Sequence, residues 1–159
     1  MATKAGIVSA TLPKKDATRV AKVLQDQLSE IITLTLQAKH YHWNVFGTHF
    51  RSVHLHMDEI TTELRLAMDT VAERIVTLGA IANGQATDAA AAKLPVLPKT
   101  PIIDADAMSG MADRLSASAG RGRQRAEDVA DIDPVSESVL LTVIEGMEKQ
   151  IWMLRAGQV

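Results

Sequence analysis

The stretch HFRSVHLHMDEITTELRLAMDTVAERIVTL, residues 49 to 78, decides the architecture. Met57, Ile60, Leu64, Met68, Val71, Ile75 and Leu78 recur at spacings of three and four, the period of an amphipathic helix packed on one side. A second stripe runs along the same helix. His54 with Asp58, and Asp69 with Glu73, are two i, i+4 pairs of side chains able to ligate a metal. On a wheel of about 100° per residue this stripe lies ~130° from the apolar centre, so it points out of the subunit's own core. Asp58 and Asp69 are ~16 Å apart along the axis, too far to share one ion. A second copy crossing antiparallel near residues 63 and 64 removes the difficulty. His54 then faces the other copy's Glu73 and Asp58 faces its Asp69, because both index pairs share a midpoint, and a two-fold pair makes two such sites. The competing reading is an ordinary solvated acidic face with His54 a bystander.

Composition sets the outer bounds. The chain has 159 residues, enough for one domain with a sizeable core, and 47% hydrophobic content marks it as globular. Only 3% is aromatic, which favours helices over a β-sandwich. The net charge of −2 gives no whole-protein attraction to nucleic acid or an anionic membrane. Absence of cysteine excludes a disulfide framework, cysteine-ligated zinc and thiol catalysis, and suits a reducing cytoplasm. Neither a secretion signal nor a run of about 18 apolar residues is visible, so no membrane partner is expected.

Working outward from residues 49 to 78, the chain divides into an arm over 1–15 and one helical domain over 16–157. Asp16 is the expected N-cap of a first helix over 17–44, with Val20, Val23, Leu24, Leu28, Ile31 and Ile32 on its buried side. The break at Val45-Phe46-Gly47-Thr48 is short, making the first two helices antiparallel neighbours. Gly79 ends the second helix, and the segment to Ile103 carries Gly84, Pro95, Pro98 and Pro101 with one helical turn expected around Ala89 to Ala92. A third helix is expected over 104–129. Asp133-Pro134 reads as N-cap and first position of a fourth reaching Ala156, with Leu140, Ile144, Met147, Ile151 and Leu154 inward. Two helical hairpins joined by one long crossover make an all-α, ferritin-like four-helix bundle.

The usual di-iron bundle places Glu-x-x-His on two of its helices, facing inward, and no Glu-x-x-His occurs here. Any metal site must lie elsewhere, and the outward stripe supplies a place. His42 ends the first helix one loop before it. Two imidazoles and a carboxylate with open positions suit iron, manganese or zinc. His40 and His56 point about 200° away from His42 and His54 on their helices, and His49 reads as a helix-start residue.

Several runs together carry a resemblance: His42-Trp43-Asn44-Val45-Phe46-Gly47-Thr48-His49-Phe50, Val53-His54, Asp58-Glu59, Asp69-Thr70-Val71-Ala72-Glu73-Arg74-Ile75, Leu78-Gly79 and Lys149-Gln150-Ile151-Trp152-Met153. From Asp16 to Ala156 the chain resembles the Dps family, mini-ferritins described as DNA-binding proteins from starved cells. The resemblance implies a hollow homododecamer that oxidises Fe(II) with hydrogen peroxide, or with dioxygen, and stores ferric mineral inside, protecting the cell from oxidative damage. It implies ferroxidase ligands at His42, His54 and Asp58 of one subunit and Asp69 and Glu73 of its two-fold mate, with zinc or manganese able to take the same place. Trp43 is a candidate neighbour of that site, with a packed aromatic as the alternative. Asp131, Asp133 and Glu137 are the candidates for an acidic iron-entry pore, Asp133 being also an N-cap candidate. For DNA as a partner, the candidate contacts are Lys4, Lys14 and Lys15 on a sparsely charged arm, equally readable as a solubilising segment. Arg121, Arg123 and Arg125 read as a solvated helix face. Two other functions stay open beside the ferroxidase: a DNA-compacting structural protein with a secondary metal site, and a zinc-binding or inert helical oligomer.

Overall fold

The computed structural model describes residues 11–92 and 94–158. Four long helices account for most of them: α1, Lys14–Asn44; α2, Phe50–Thr77; α4, Asp104–Ala130; and α5, Pro134–Ala156. The short α3, Ala86–Ala89, interrupts the crossover; the two-residue strand β1, Val45–Phe46, lies between α1 and α2, and β2, Ile102–Ile103, ends the crossover before α4. α1 packs on α2 and α4 on α5 along their lengths, while α1 also meets α4 and α2 meets α5, closing the four-helix bundle. No helix among the described residues is long and apolar enough to cross a membrane.

The apolar stripes go where their periods send them. Met57, Ile60, Leu64, Val71 and Ile75 on α2, with Leu78 at its C-cap, are buried and join Leu24, Leu28, Ile31 and Leu34 of α1. Leu140, Ile144, Met147, Ile151 and Leu154 do the same on α5. Val23, Ile32 and Met68 sit at the margin, only partly buried.

Several local expectations are corrected. α1 starts at Lys14, not after Asp16: Pro13, at φ −54° and ψ 141°, sets the entry, and Asp16 becomes an acidic residue of the first turn. Lys14 and Lys15 are therefore helical and exposed, and Lys4 lies outside the described residues. The crossover helix comes three residues earlier than its alanines suggest, because Asn83 Oδ1 accepts from Gln85 N at 2.9 Å and starts the turn. Arg121, though exposed, is paired, and Arg125 is not part of a solvated face. Both reach across to the buried Glu30 of α1, at 2.7 and 2.6 Å, and Ser118 Oγ donates to the same carboxylate at 2.8 Å. Arg123 alone behaves as expected, pairing with Glu148 at the surface.

Polar side chains along α1 fasten the crossover. Gln25 bonds Asn83 through both main-chain groups, Thr33 Oγ1 donates to Ala89 O, Gln37 Nε2 to Pro95 O and His40 Nε2 to Pro98 O. This strap delivers β2 to β1, where Val45 pairs with Ile102 and Phe46 with Ile103 in parallel. Strands so short leave no period to read in the sequence, yet they pin the α1–α2 turn from outside.

Candidate metal centre

The α1–α2 turn brings the last turn of α1 against the first turns of α2. Gly47 carries φ +131°, a conformation that L side chains rarely adopt, and an added Cβ would lie 2.6 Å from the Asp104 carboxyl carbon. That space is needed because Asp104 Oδ2 accepts from His49 N at 2.7 Å, and Oδ1 from Ala105 N at 2.8 Å. The His49 amide bond, together with the Ala105 one, holds the Asp104 carboxyl below the usual carboxylate range. His49 is the residue before α2, as its position near the loop suggests.

With the turn so held, His42 and His54 face each other. Nδ1 of His42 lies 2.8 Å from His54 O, and Nδ1 of His54 lies 2.8 Å from His42 O. The rings stack at 3.6 Å between centroids, 20° from parallel, with Phe50 5.0 Å from the His54 ring. A carbonyl only accepts, so both Nδ1 atoms carry a hydrogen, and Nε2 is the ring nitrogen that these bonds leave open. Histidine metal ligands are commonly prepared this way, one nitrogen anchored and the other free to ligate.

Asp58 is one turn further along α2. Its Oδ1 is 3.4 Å from His42 Nδ1 and accepts from Lys39 Nζ at 2.6 Å. The Lys39 hydrogen bond first, with the charges of His42, Lys39 and His54, holds the Asp58 carboxyl below its ordinary value. Two imidazoles and a carboxylate thus gather at one end of the bundle. Asp69 and Glu73 do not join them: both are exposed on α2, three turns and more beyond Asp58. Among the described residues, no three His, Asp or Glu groups of one subunit are placed to hold a single ion together. The donor set fits a transition ion, but one subunit carries only part of a coordination shell.

Comparison with known proteins shows the family. The family described as Ferritin, ferritin-like domain, matches residues 21–157. The DNA protection during starvation protein of Agrobacterium fabrum is 30% identical, over 91% of this chain and 91% of its own length. The chain belongs to the Dps family of ferritin-like proteins. DNA protection during starvation protein 2 of Deinococcus radiodurans is 33% identical over 92% of this chain, which spans 62% of that relative's length. The crystal structure of the Dps protein from Vibrio cholerae O1, described as a member of a broad superfamily of ferritin-like diiron-carboxylate proteins, superposes with a TM-score of 0.86 at 27% identity, covering 93% of this chain and 94% of its own.

The remaining candidates of this Dps chain are placed as follows. Trp43 is exposed beside the site, with Lys39 Nζ 5.9 Å from its ring centre. His40 and His56 point elsewhere, His56 Nε2 bonding Gln150 Oε1 at 2.8 Å. Asp131 is exposed and Glu137 half-buried at the α4–α5 turn. Asp133 is buried in the subunit, bonded by Ser136 Oγ and by Arg74 Nη2 at 2.6 Å. Burial raises its pKa, but those bonds prevail and hold it low. It occupies the N-cap position without a side-chain cap bond, its carboxylate tying α2 to α5.

Two residues of the site went unnoticed in the sequence. Lys39 stands three before His42, so an i, i+3 inspection of the helix would have found it. Asp104 lies 55 residues from its partner His49, and no local pattern announces it.

Proposed function

We propose that this protein is a cytoplasmic ferroxidase and iron store. Two copies related by a two-fold axis would complete each site, His42, His54 and Asp58 from one and Asp69 and Glu73 from the other, within a hollow dodecamer. Iron is the substrate and cargo: two Fe(II) give one electron each to hydrogen peroxide, which takes up two protons and leaves as two water molecules, while two Fe(III) pass to the mineral. Dioxygen is the alternative oxidant. Transferring both electrons to one peroxide avoids release of hydroxyl radical.

The observation that carries this reading is the paired anchoring of His42 and His54 through Nδ1, which leaves Nε2 of each ring as the nitrogen open to an ion, with the Asp58 carboxylate 3.4 Å from His42 Nδ1. The ligand face of α2 also bears Leu55, Leu66 and Val76 exposed among its acids, an apolar margin that suits burial against a second copy. Similarity to the Vibrio cholerae protein, placed among diiron-carboxylate proteins, supports iron as the metal. His42→Ala combined with Asp58→Ala tests the assignment: the oligomer should persist and peroxide-dependent Fe(II) oxidation should be lost. Full oxidation by that variant would remove the enzyme reading.

A second reading, DNA compaction, draws on the names of the relatives and on Lys14 and Lys15, exposed at the start of α1. Phosphate contacts of this kind weaken with salt. A gel shift at low and high salt, with and without residues 1–15, tests it; no shift at low salt would end it.

A further inference from the structure

We propose that Lys39 is a displaceable cation that occupies Asp58 until a divalent transition ion arrives, and that the ring face of Trp43 receives its ammonium group when the ion takes the carboxylate. The proposal rests on the metal-centre reading above and adds a selection step to it.

Lys39, His42 and Trp43 share the last turns of α1, at i, i+3 and i+4. The Lys39 ammonium is 2.6 Å from Asp58 Oδ1, and its side chain is only 22% exposed, so it is held at the mouth of the site and not waving in solvent. A metal ion binds a carboxylate oxygen at about 2 Å. An ammonium at hydrogen-bond distance from the same oxygen would then stand within a few ångströms of a dication, with little water between them. A metal that takes Oδ1 competes directly with the ammonium for that oxygen, so its entry there expels Lys39.

The helix offers it one nearby destination. Trp43 is the largest exposed aromatic at this end, 67% exposed, and Lys39 Nζ already lies 5.9 Å from its ring centroid, at the edge of cation–π range. A rotation of the lysine side chain moves the charge from the carboxylate to the ring face. This assigns a use to a tryptophan that is exposed in the single subunit. It also gives the site a filter: a doubly charged ion with vacant positions for imidazole nitrogen overcomes the resident ammonium, whereas an alkali cation, lacking both, does not.

The test uses the full chain with Zn(II), which binds such donors without redox chemistry. Trp43 and Trp152 are the two tryptophans, so Trp152→Phe leaves Trp43 as the sole tryptophan, excited selectively at the red edge of its absorption. Calorimetry and tryptophan emission are followed in one titration. In this background Zn(II) should change Trp43 emission in step with binding, and excess potassium should not. Lys39→Met should bind Zn(II) about tenfold more tightly, the scale set by removing one competing charge, and should lose most of the emission change. Unchanged affinity, or an undiminished emission change in Lys39→Met, overturns the proposal. His42→Ala with His54→Ala separates the two levels of argument. Zinc binding that needs the histidines but ignores Lys39 defeats the displacement alone, whereas zinc binding that ignores the histidines defeats the metal centre and the displacement with it.

Discussion

His42 and His54 anchor each other: each ring donates from Nδ1 to the other residue's main-chain oxygen at 2.8 Å, across a 3.6 Å stack. The pairing makes the two rings one unit and commits both Nε2 atoms to any ligand. His54→Phe keeps an aromatic ring on His42 and against Phe50 but removes a nitrogen donor. Zn(II) affinity by calorimetry should fall at least about 100-fold, while stability should drop by no more than about 1.5 kcal/mol. A variant that binds zinc normally would show that His54 is not a ligand.

The turn beneath that pair is sensitive to one methyl group. Gly47→Ala meets both a disfavoured φ of +131° and the Asp104 carboxyl at 2.6 Å. It should cost about 1–3 kcal/mol in urea unfolding. Because the turn sets His42 against His54, metal affinity should fall as well. Unaltered stability would mean the backbone relaxes without cost.

Glu30 supplies a pH dependence. Burial pushes its carboxyl pKa up, but the bonds from Arg121, Arg125 and Ser118 outweigh that and hold it below the ordinary value of 4.5. The unfolded chain therefore binds the proton more readily than the folded one. The stabilisation is whole above about pH 5 and is lost as pH falls through 4.5 toward the depressed folded value. Glu30→Gln should lose about 3 kcal/mol at neutral pH, since it strands two guanidinium groups, and should show a flatter acid limb. Urea midpoints measured between about pH 3 and 7 check both; parallel curves for the two proteins would contradict the assignment.

Leu66 tests the face that carries Asp69 and Glu73. It is 65% exposed in the subunit and lies on the same side of α2 as Asp58. Leu66→Lys should retain its helical circular dichroism while light scattering shifts toward the 17.2 kDa monomer. An unchanged particle mass would place the pairing surface elsewhere.

Much of the fold was legible because it is written locally. The three-and-four spacing of α2 and α5, Pro134 at a helix start and the glycine and prolines of the crossover each act within a few residues, and the helix ends fell close to where they were expected. Less was legible where one side chain answers another far along the chain. Arg121 and Arg125 looked solvated because Glu30 is about 90 residues away, and the pairing of Asp133 with Arg74 went unseen because 59 residues separate them. At the site, His42, His54 and Asp58 come together as their positions around the turn suggested, whereas Lys39 on Asp58 emerges only from the packing of α1 on α2. Asp69 and Glu73 belong, in the proposal, to another copy, and no single subunit can display that.

Mixed assembly tests the shared site most directly. One variant, His42→Ala with Asp58→Ala, lacks one half of the ligand set; another, Asp69→Ala with Glu73→Ala, lacks the other half. Each alone should be inactive in peroxide-dependent Fe(II) oxidation. Unfolded together and reassembled in equal amounts, half of the two-fold pairs are mixed and each mixed pair holds one intact site. About a quarter of the wild-type rate should therefore return. No recovery in a mixture shown to contain mixed pairs would contradict a centre built from two subunits.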